Sequence, residues 1–418
     1  MTSSADHVDA VARSANPYDM AVAADPVPFF RELREQAPIA MLMGIPGTHI
    51  LSRYDDVRFA LQHPEIFSSE LQAVDIGQER PLIPLQVDPP DHVKYRRVID
   101  PHLAPREMAP RVEGFRRLVN DLIDRFIERG SCDLHAEFSL PFPATVFLDM
   151  CGMPQEDVDT YTGWKDDIIR PQLRHPELAG DPAALKAKRH ETGAEMYRFF
   201  EALIADRRAN PGHDMFSRFA TGSVDGEAMT DEQMVDIGYL FILGGLDTVT
   251  SSLDCAFAHL ARAPELRRRL VDDPGAIPGA VEEMLRLHTP LMQVLRVVKQ
   301  PVEMDGVALA PGDHVVVMLG AADTDPAEFG ETAGEVDLGR ERNRHLAFGA
   351  GPHRCLGSHL ARLELRIAFE EVHRRMPDYE IDESPDAPIE LVYSPGIREI
   401  ESIPVRFTPG PVEGAGVG

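Results

Sequence analysis

Residues 230–262 constrain the fold more than any other stretch of this 418-residue chain. Thr230-x-x-Gln233 is a capping-box signature. The apolar run behind it meets no proline until Pro264. This pattern predicts one helix from Thr230 to Arg262, roughly 50 Å long at about 1.5 Å per residue. A helix so long and apolar has to run through a core, with the rest of the fold arranged about it. In its middle stands Gly244-Gly245-Leu246-Asp247-Thr248. Two glycines inside a helix cost about 1 kcal/mol each relative to alanine. Close packing against another helix explains such a pair as readily as function does. The functional alternative is a groove, since Leu240, Gly244 and Thr248 share one face at i, i+4 and i+8 and present an apolar wall, a gap and a hydroxyl.

The flanking sequence predicts a mainly α-helical protein with small peripheral β-sheets. Val27–Gln36 and Tyr54–Gln62 read as helices and Thr48–Ser52 as a strand. Phe67–Pro90 is a long irregular segment with apolar points at Leu71, Val74, Ile76, Leu82, Ile83 and Leu85, suited to a pocket wall. Helices dominate from there to Leu287. Val302–Leu309 is a hairpin about Asp305-Gly306, followed by a strand over His314–Leu319 and a second β patch over Ile389–Phe407. No linker or repeat divides the chain, so residues 16–408 are expected to form one domain, with flexible segments at 1–15 and 409–418.

A net charge of −27 disfavours nucleic-acid binding, which needs a basic surface. The exception lies between His92 and Arg117, where Lys94, Arg96, Arg97, Arg106, Arg111, Arg116 and Arg117 outnumber the acids; such a region suits an acidic protein partner. The four cysteines, Cys132, Cys151, Cys255 and Cys355, show no disulfide or zinc spacing. With no signal peptide and no apolar run near the roughly 20 residues a bilayer needs, a cytoplasmic protein without a membrane anchor is expected, working as a monomer.

Phe348-Gly349-Ala350-Gly351-Pro352-His353-Arg354-Cys355-Leu356-Gly357 carries the functional signal. Its glycines clear the backbone around one cysteine, just before a helix predicted over Leu360–Val372. A thiolate there gains from the helix N-terminus. Without such a role an intracellular cysteine is ordinarily buried and inert. Phe348, Gly351, Cys355 and Gly357 fit Phe-x-x-Gly-x-x-x-Cys-x-Gly, and the decapeptide resembles the haem-binding loop of the cytochrome P450 family. The resemblance implies haem b with Cys355 as iron ligand. It also makes Asp247 and Thr248 an acid–alcohol pair, with Thr248 holding the activated oxygen and Asp247 relaying protons. Glu283-x-x-Arg286 with Arg340 matches the family's structural ion-pair network, and His92, Arg96, Arg296 and His353 match its propionate contacts. Lys94 and Arg97, off the His92/Arg96 face, would meet the electron donor. One departure is Asp323-Thr324, where the family usually has Asn and Arg; a structural role with some change in surface charge is expected there.

The implied activity is monooxygenation: O2 and two electrons, delivered by a ferredoxin-type donor and its reductase, put one oxygen atom into a hydrophobic small molecule. Pocket walls are expected at Leu82, Ile83, Leu240, Leu243 and Gly244, and at Leu291, Val294 and Ile397. The Gly244–Thr248 run is similar to that of camphor-hydroxylating members, which favours a terpenoid; a steroid or fatty acid is the alternative. Outside enzymes, a non-catalytic haem-thiolate sensor would need no Asp247–Thr248 relay. A cysteine hydrolase would leave the arginines unexplained.

Overall fold

Helices form where apolar spacing predicts them. Tyr54–Gln62 has the predicted bounds and buries Tyr54, Val57, Ala60 and Leu61 along one face. Pro26–Gln36 starts on proline, whose fixed φ suits a first helical turn, and buries Phe29, Phe30 and Leu33. The computed structural model describes residues 22, 24–42, 45–70, 75–224, 226–382, 389, 391–394 and 397–414. Residues 1–15, together with Leu71, Val74 and 415–418, lie outside the described residues.

The fold is mainly α-helical with small sheets, and the chain divides into two compact units. One gathers residues 1–67, 108–142 and 248–418; the other gathers 68–107 and 143–247. The span expected to form one domain is thus built from two units of interrupted sequence.

The larger unit holds the main sheet. Thr48–Leu51 pairs antiparallel with Ile39–Met41 and parallel with His314–Val317, which in turn pairs antiparallel with Val294–Val298. The strand predicted over His314–Leu319 stops at Val317, because Leu319 already opens the short helix Leu319–Asp323. The hairpin forms as read: Asp305 and Gly306 take φ of 47° and 77°, the left-handed pair a two-residue turn demands.

The smaller unit packs Pro182–Ala209 and Asp231–Gly245 over an aromatic core that includes Phe200, Phe216, Phe219 and Phe241. Its long loop is tied to those helices. Tyr239 Oη donates to Ile76 O at 2.7 Å, Glu79 N to Tyr197 Oη at 3.0 Å, and Arg80 pairs with Asp236 at 3.0 Å.

The helix expected from Thr230 to Arg262 is two helices. The Thr230–Gln233 capping box opens Asp231–Gly245, the chain bends at Leu246–Asp247, and Thr248–Arg262 follows. A Cβ on Gly245 would lie 2.5 Å from the Phe147 ring, so the ring occupies the side-chain space that this glycine vacates. Taken together, Asp231–Arg262 is long and apolar enough to cross a membrane, but 67% of its most apolar window is buried inside the protein, as in a core helix.

Two further expectations change. Residues 409–414 are tied down: Gly410 N donates to Ile127 O at 3.2 Å, Arg375 to Pro411 O at 2.9 Å, and Glu413 pairs with Arg374. Arg116, counted in the basic region, pairs with Glu370 and Glu371 and so serves packing.

Asp323 and Thr324 are buried, so the departure there leaves surface charge unchanged. Asp323 accepts hydrogen bonds from Leu346 N at 2.5 Å and Thr289 Oγ1 at 2.9 Å. Thr324 Oγ1 accepts from buried Arg34 at 3.2 Å, which brings a guanidinium to this segment from the Pro26–Gln36 helix. Burial raises the Asp323 pKa to about 6, against the pull of His345 and its hydrogen-bond donors. The folded chain therefore holds a proton here that the unfolded chain has released by about pH 4. Stability from this group is greatest below pH 4 and is lost as pH rises through about 6, on the order of 3 kcal/mol. Urea unfolding across that window should show Asp323→Asn losing this slope; an unchanged slope would mean Asp323 titrates normally.

Candidate active site

The cysteine loop belongs to the larger unit. Cys355 N donates to Phe348 O at 2.8 Å and Gly349 N to Leu346 O at 2.7 Å, closing a tight turn. Gly351 has φ of 67°, and a Cβ there would stand 2.3 Å from Leu61 O, so only glycine fits. The helix that follows, Ser358–Arg375, begins three residues after Cys355. Cys355 is exposed while Cys132, Cys151 and Cys255 are buried. Burial pushes those three thiols up and keeps them inert. A metal-bound thiolate is favoured by an accessible sulfur, by a helix N-terminus nearby and by a loop that is held still. Cys355 meets each condition, so the residues fit a haem ligated through sulfur.

A buried network holds that loop. Arg286, 0% exposed, donates to both Glu283 oxygens at 2.9 and 2.8 Å; Arg340 Nε adds bonds at 3.2 and 3.0 Å, and Asn343 one at 3.0 Å. Both guanidiniums lie over the Phe329 ring, at 5.1 and 5.5 Å. Burial acts to raise the Glu283 pKa, but Arg286, Asp337 N–H and Arg340 outweigh it and hold the carboxyl low. The neighbouring Glu282 forms a second clamp that sequence reading missed. It takes Arg362 at 2.6 and 2.8 Å and His345 at 3.0 Å, while Arg362 covers the Phe348 ring at 4.4 Å. Arg362 stands on the helix after Cys355, so Glu282 fixes that helix to the Glu283 helix. Its only sequence signal is the acidic pair Glu282-Glu283.

In the smaller unit, Asp247 is buried with Lys165, itself 2% exposed. Lys165 Nζ donates to Asp247 Oδ1 and reaches Asp166 at 2.9 Å; Arg170 Nη2 is 2.7 Å from Asp166 and 3.9 Å from Asp247. Asp247 Oδ2 is buried and has no hydrogen-bond partner among the described residues. One carboxylate oxygen is thus clamped by cations while the other has no partner among the described residues. Lys165 and Arg170 were not found from sequence, since 82 and 77 residues separate them from Asp247.

The remaining expected residues fall as follows. In the smaller unit His92 is buried and Arg96 pairs with Asp100 at 2.7 Å, both on the Asp91–Ile99 helix. In the larger unit Arg296 is buried in its strand, donating to Leu295 O at 2.7 Å, and His353 is partly exposed in the cysteine loop. Thr248 opens its helix, and Thr248 O accepts from Ser252 Oγ at 2.7 Å. Of the expected pocket positions, Leu82 and Ile83 are buried, Leu240 and Leu243 partly so, and Gly244 is exposed, with nothing within 4 Å of where a Cβ would stand. Leu291 and Ile397 meet in a β-bridge, with Val294 partly buried in the next strand.

Comparison with known proteins agrees with this geometry. A family model described as Cytochrome P450 matches residues 25–273 and 277–382. A steroid C26-monooxygenase of Mycobacterium tuberculosis is 33% identical over 367 residues, 87% of this chain and 96% of that protein. A methyl-branched lipid omega-hydroxylase of the same organism is 32% identical over 400 residues, 91% of this chain and 90% of that protein. The crystal structure of CYP109E1 from Bacillus megaterium in complex with testosterone superposes with a TM-score of 0.83 at 26% identity, covering 93% of this chain and 99% of that one.

Proposed function

The chain belongs to the cytochrome P450 family, and on that footing we propose that it hydroxylates a hydrophobic small molecule using haem b held by Cys355. The observation that carries this reading is the exposed Cys355 on its braced, glycine-cleared loop. When bound, the haem supplies oxygen activation: O2, two electrons and two protons yield one inserted oxygen atom and water.

The protein's own part is positioning and proton supply. Asp247 Oδ1 stays neutralised by Lys165, while Oδ2, with no donor of its own, accepts a proton and gives it up. The Thr248 hydroxyl, next in the chain, both donates and accepts, so it can pass that proton on. Thr248→Ala is expected to keep substrate binding while diverting electrons to peroxide; unchanged coupling would remove Thr248 from this role. His92, Arg96, Arg296 and His353 are assigned to the haem propionates as donors. Lys94, paired with Asp91 at 2.8 Å, and the exposed Arg97 are assigned to docking of a ferredoxin-type donor fed by its reductase. We also propose that the protein is cytoplasmic and monomeric.

For the substrate we favour a steroid or a branched lipid, the kinds named for the relatives, with the terpenoid expected from Gly244–Thr248 as the alternative. Spectral titration with a panel of terpenes, steroids and fatty acids decides among them. A low-spin to high-spin shift with steroids or lipids is expected. A shift with terpenes alone restores the first expectation.

A further inference from the structure

The larger unit contains a cavity of about 350 Å³ lined by none of the residues assigned above. Cys255, His259 and Arg262 of the Thr248–Arg262 helix face it, together with His288, Arg398 and Ala24. Arg398 Nη1 donates to His288 Nδ1 at 3.0 Å, and His288 Nε2 lies 3.1 Å from His259 Nδ1. Burial first, then the Arg398 charge, lowers the pKa of both histidines, so both are neutral at pH 7. A neutral His288 that accepts at Nδ1 carries its proton on Nε2 and gives it to His259 Nδ1, which leaves His259 with an N–H at Nε2. The relay from Arg398 through His288 therefore ends in a donor.

One of these donors has no acceptor among the described residues. Arg398 Nη2 donates to Ala24 O at 2.9 Å, but Arg398 Nε is buried with no hydrogen-bond partner. A buried donor left unsatisfied costs about 1–3 kcal/mol and calls for an explanation such as a bound ion. No lining residue is acidic, and strand alternation turns Glu399 to the other face from Arg398. Among the described residues neither Arg262 nor Arg398 has a carboxylate partner. The cavity is rich in donors and positive charge on a chain whose net charge is −27. Its volume falls within the roughly 300–1,000 Å³ of small-molecule sites.

We propose that this cavity is a binding site for a small oxyanion, the phosphate or carboxylate group of a metabolite, held by Arg398, Arg262 and His259. Charge-assisted bonds from two guanidiniums would satisfy Arg398 Nε and offset part of the arginines' charge. The site is independent of the haem reading, because none of its residues is a proposed haem or proton contact.

Calorimetric titration of the purified, haem-loaded protein with inorganic phosphate at pH 7 and fixed ionic strength tests it, with succinate titrated in parallel. Saturable binding at one site per chain is expected for at least one of the two, and the tighter names the class. Arg262→Ala, at an exposed position, should weaken that anion at least fivefold, and Arg398→Gln at least tenfold. Should Arg398→Gln fail to fold, Arg262→Ala alone decides. Lack of saturable binding by either anion, or wild-type affinity in the variants that fold, overturns the proposal.

Discussion

Glu283→Ala is expected to destabilise the protein by about 3–5 kcal/mol, the cost of breaking a buried ion pair from one side. That is a large share of the roughly 5–15 kcal/mol that holds a typical domain folded. The effect is large because Arg286 has no access to water and Arg340 little. Arg286 would keep its bonds to the carbonyls of Asp323, Ala333 and Glu335, but its charge and its Nε would have no counterpart. Glu283 also accepts from Asp337 N at 2.8 Å, so the segment leading to the cysteine loop would lose its anchor. Chemical denaturation measures this directly. Glu283→Gln, which keeps the shape and one acceptor, should fall between wild type and Glu283→Ala. A Glu283→Ala protein within about 1 kcal/mol of wild type would show that the network does not hold this region.

Cys355→Ser is expected to do the opposite, leaving the fold intact and removing the function. The side chain is exposed and differs by one atom, and the Cys355 N–H bond to Phe348 O belongs to the backbone. Stability should therefore change by no more than about 0.5 kcal/mol. Monooxygenase activity should fall to background and the spectrum of a thiolate-ligated haem should vanish, because a neutral hydroxyl is a far poorer iron ligand than a thiolate. A serine variant that kept that spectrum would move the ligand to another residue. The contrast between the two variants separates a residue that builds the site from one that reacts in it.

What could be read from sequence was local. The Thr230–Gln233 capping box, the Tyr54–Gln62 helix, the Asp305-Gly306 turn and the Glu283–Arg286 pair each depend on residues a few positions apart, and each forms as read. The cysteine loop was legible for the same reason, since its turn is closed within Leu346–Cys355. What could not be read depends on distant partners. Helical spacing runs unbroken through Gly244–Thr248, and nothing in it announces the Phe147 ring or the Lys165 ammonium that meet the chain at the bend. Glu282 carries no local signal of its role, because its partner Arg362 lies 80 residues on. The tail from Pro409 is rich in glycine and proline, as loose ends are, but Arg374, Arg375 and Asp124 hold residues 409–414 through contacts that composition does not encode. Asp323 and Thr324 were misjudged as bearing on surface charge because a short acidic segment looks solvated; only the fold shows both enclosed.

The absorbance of the purified wild-type protein, reduced and exposed to carbon monoxide, puts the whole reading at risk in one step. A Soret band displaced far to the red, as a thiolate-bound haem would give, is the predicted outcome. A protein that carries no pigment, or whose band sits where nitrogen-ligated haem absorbs, would contradict it.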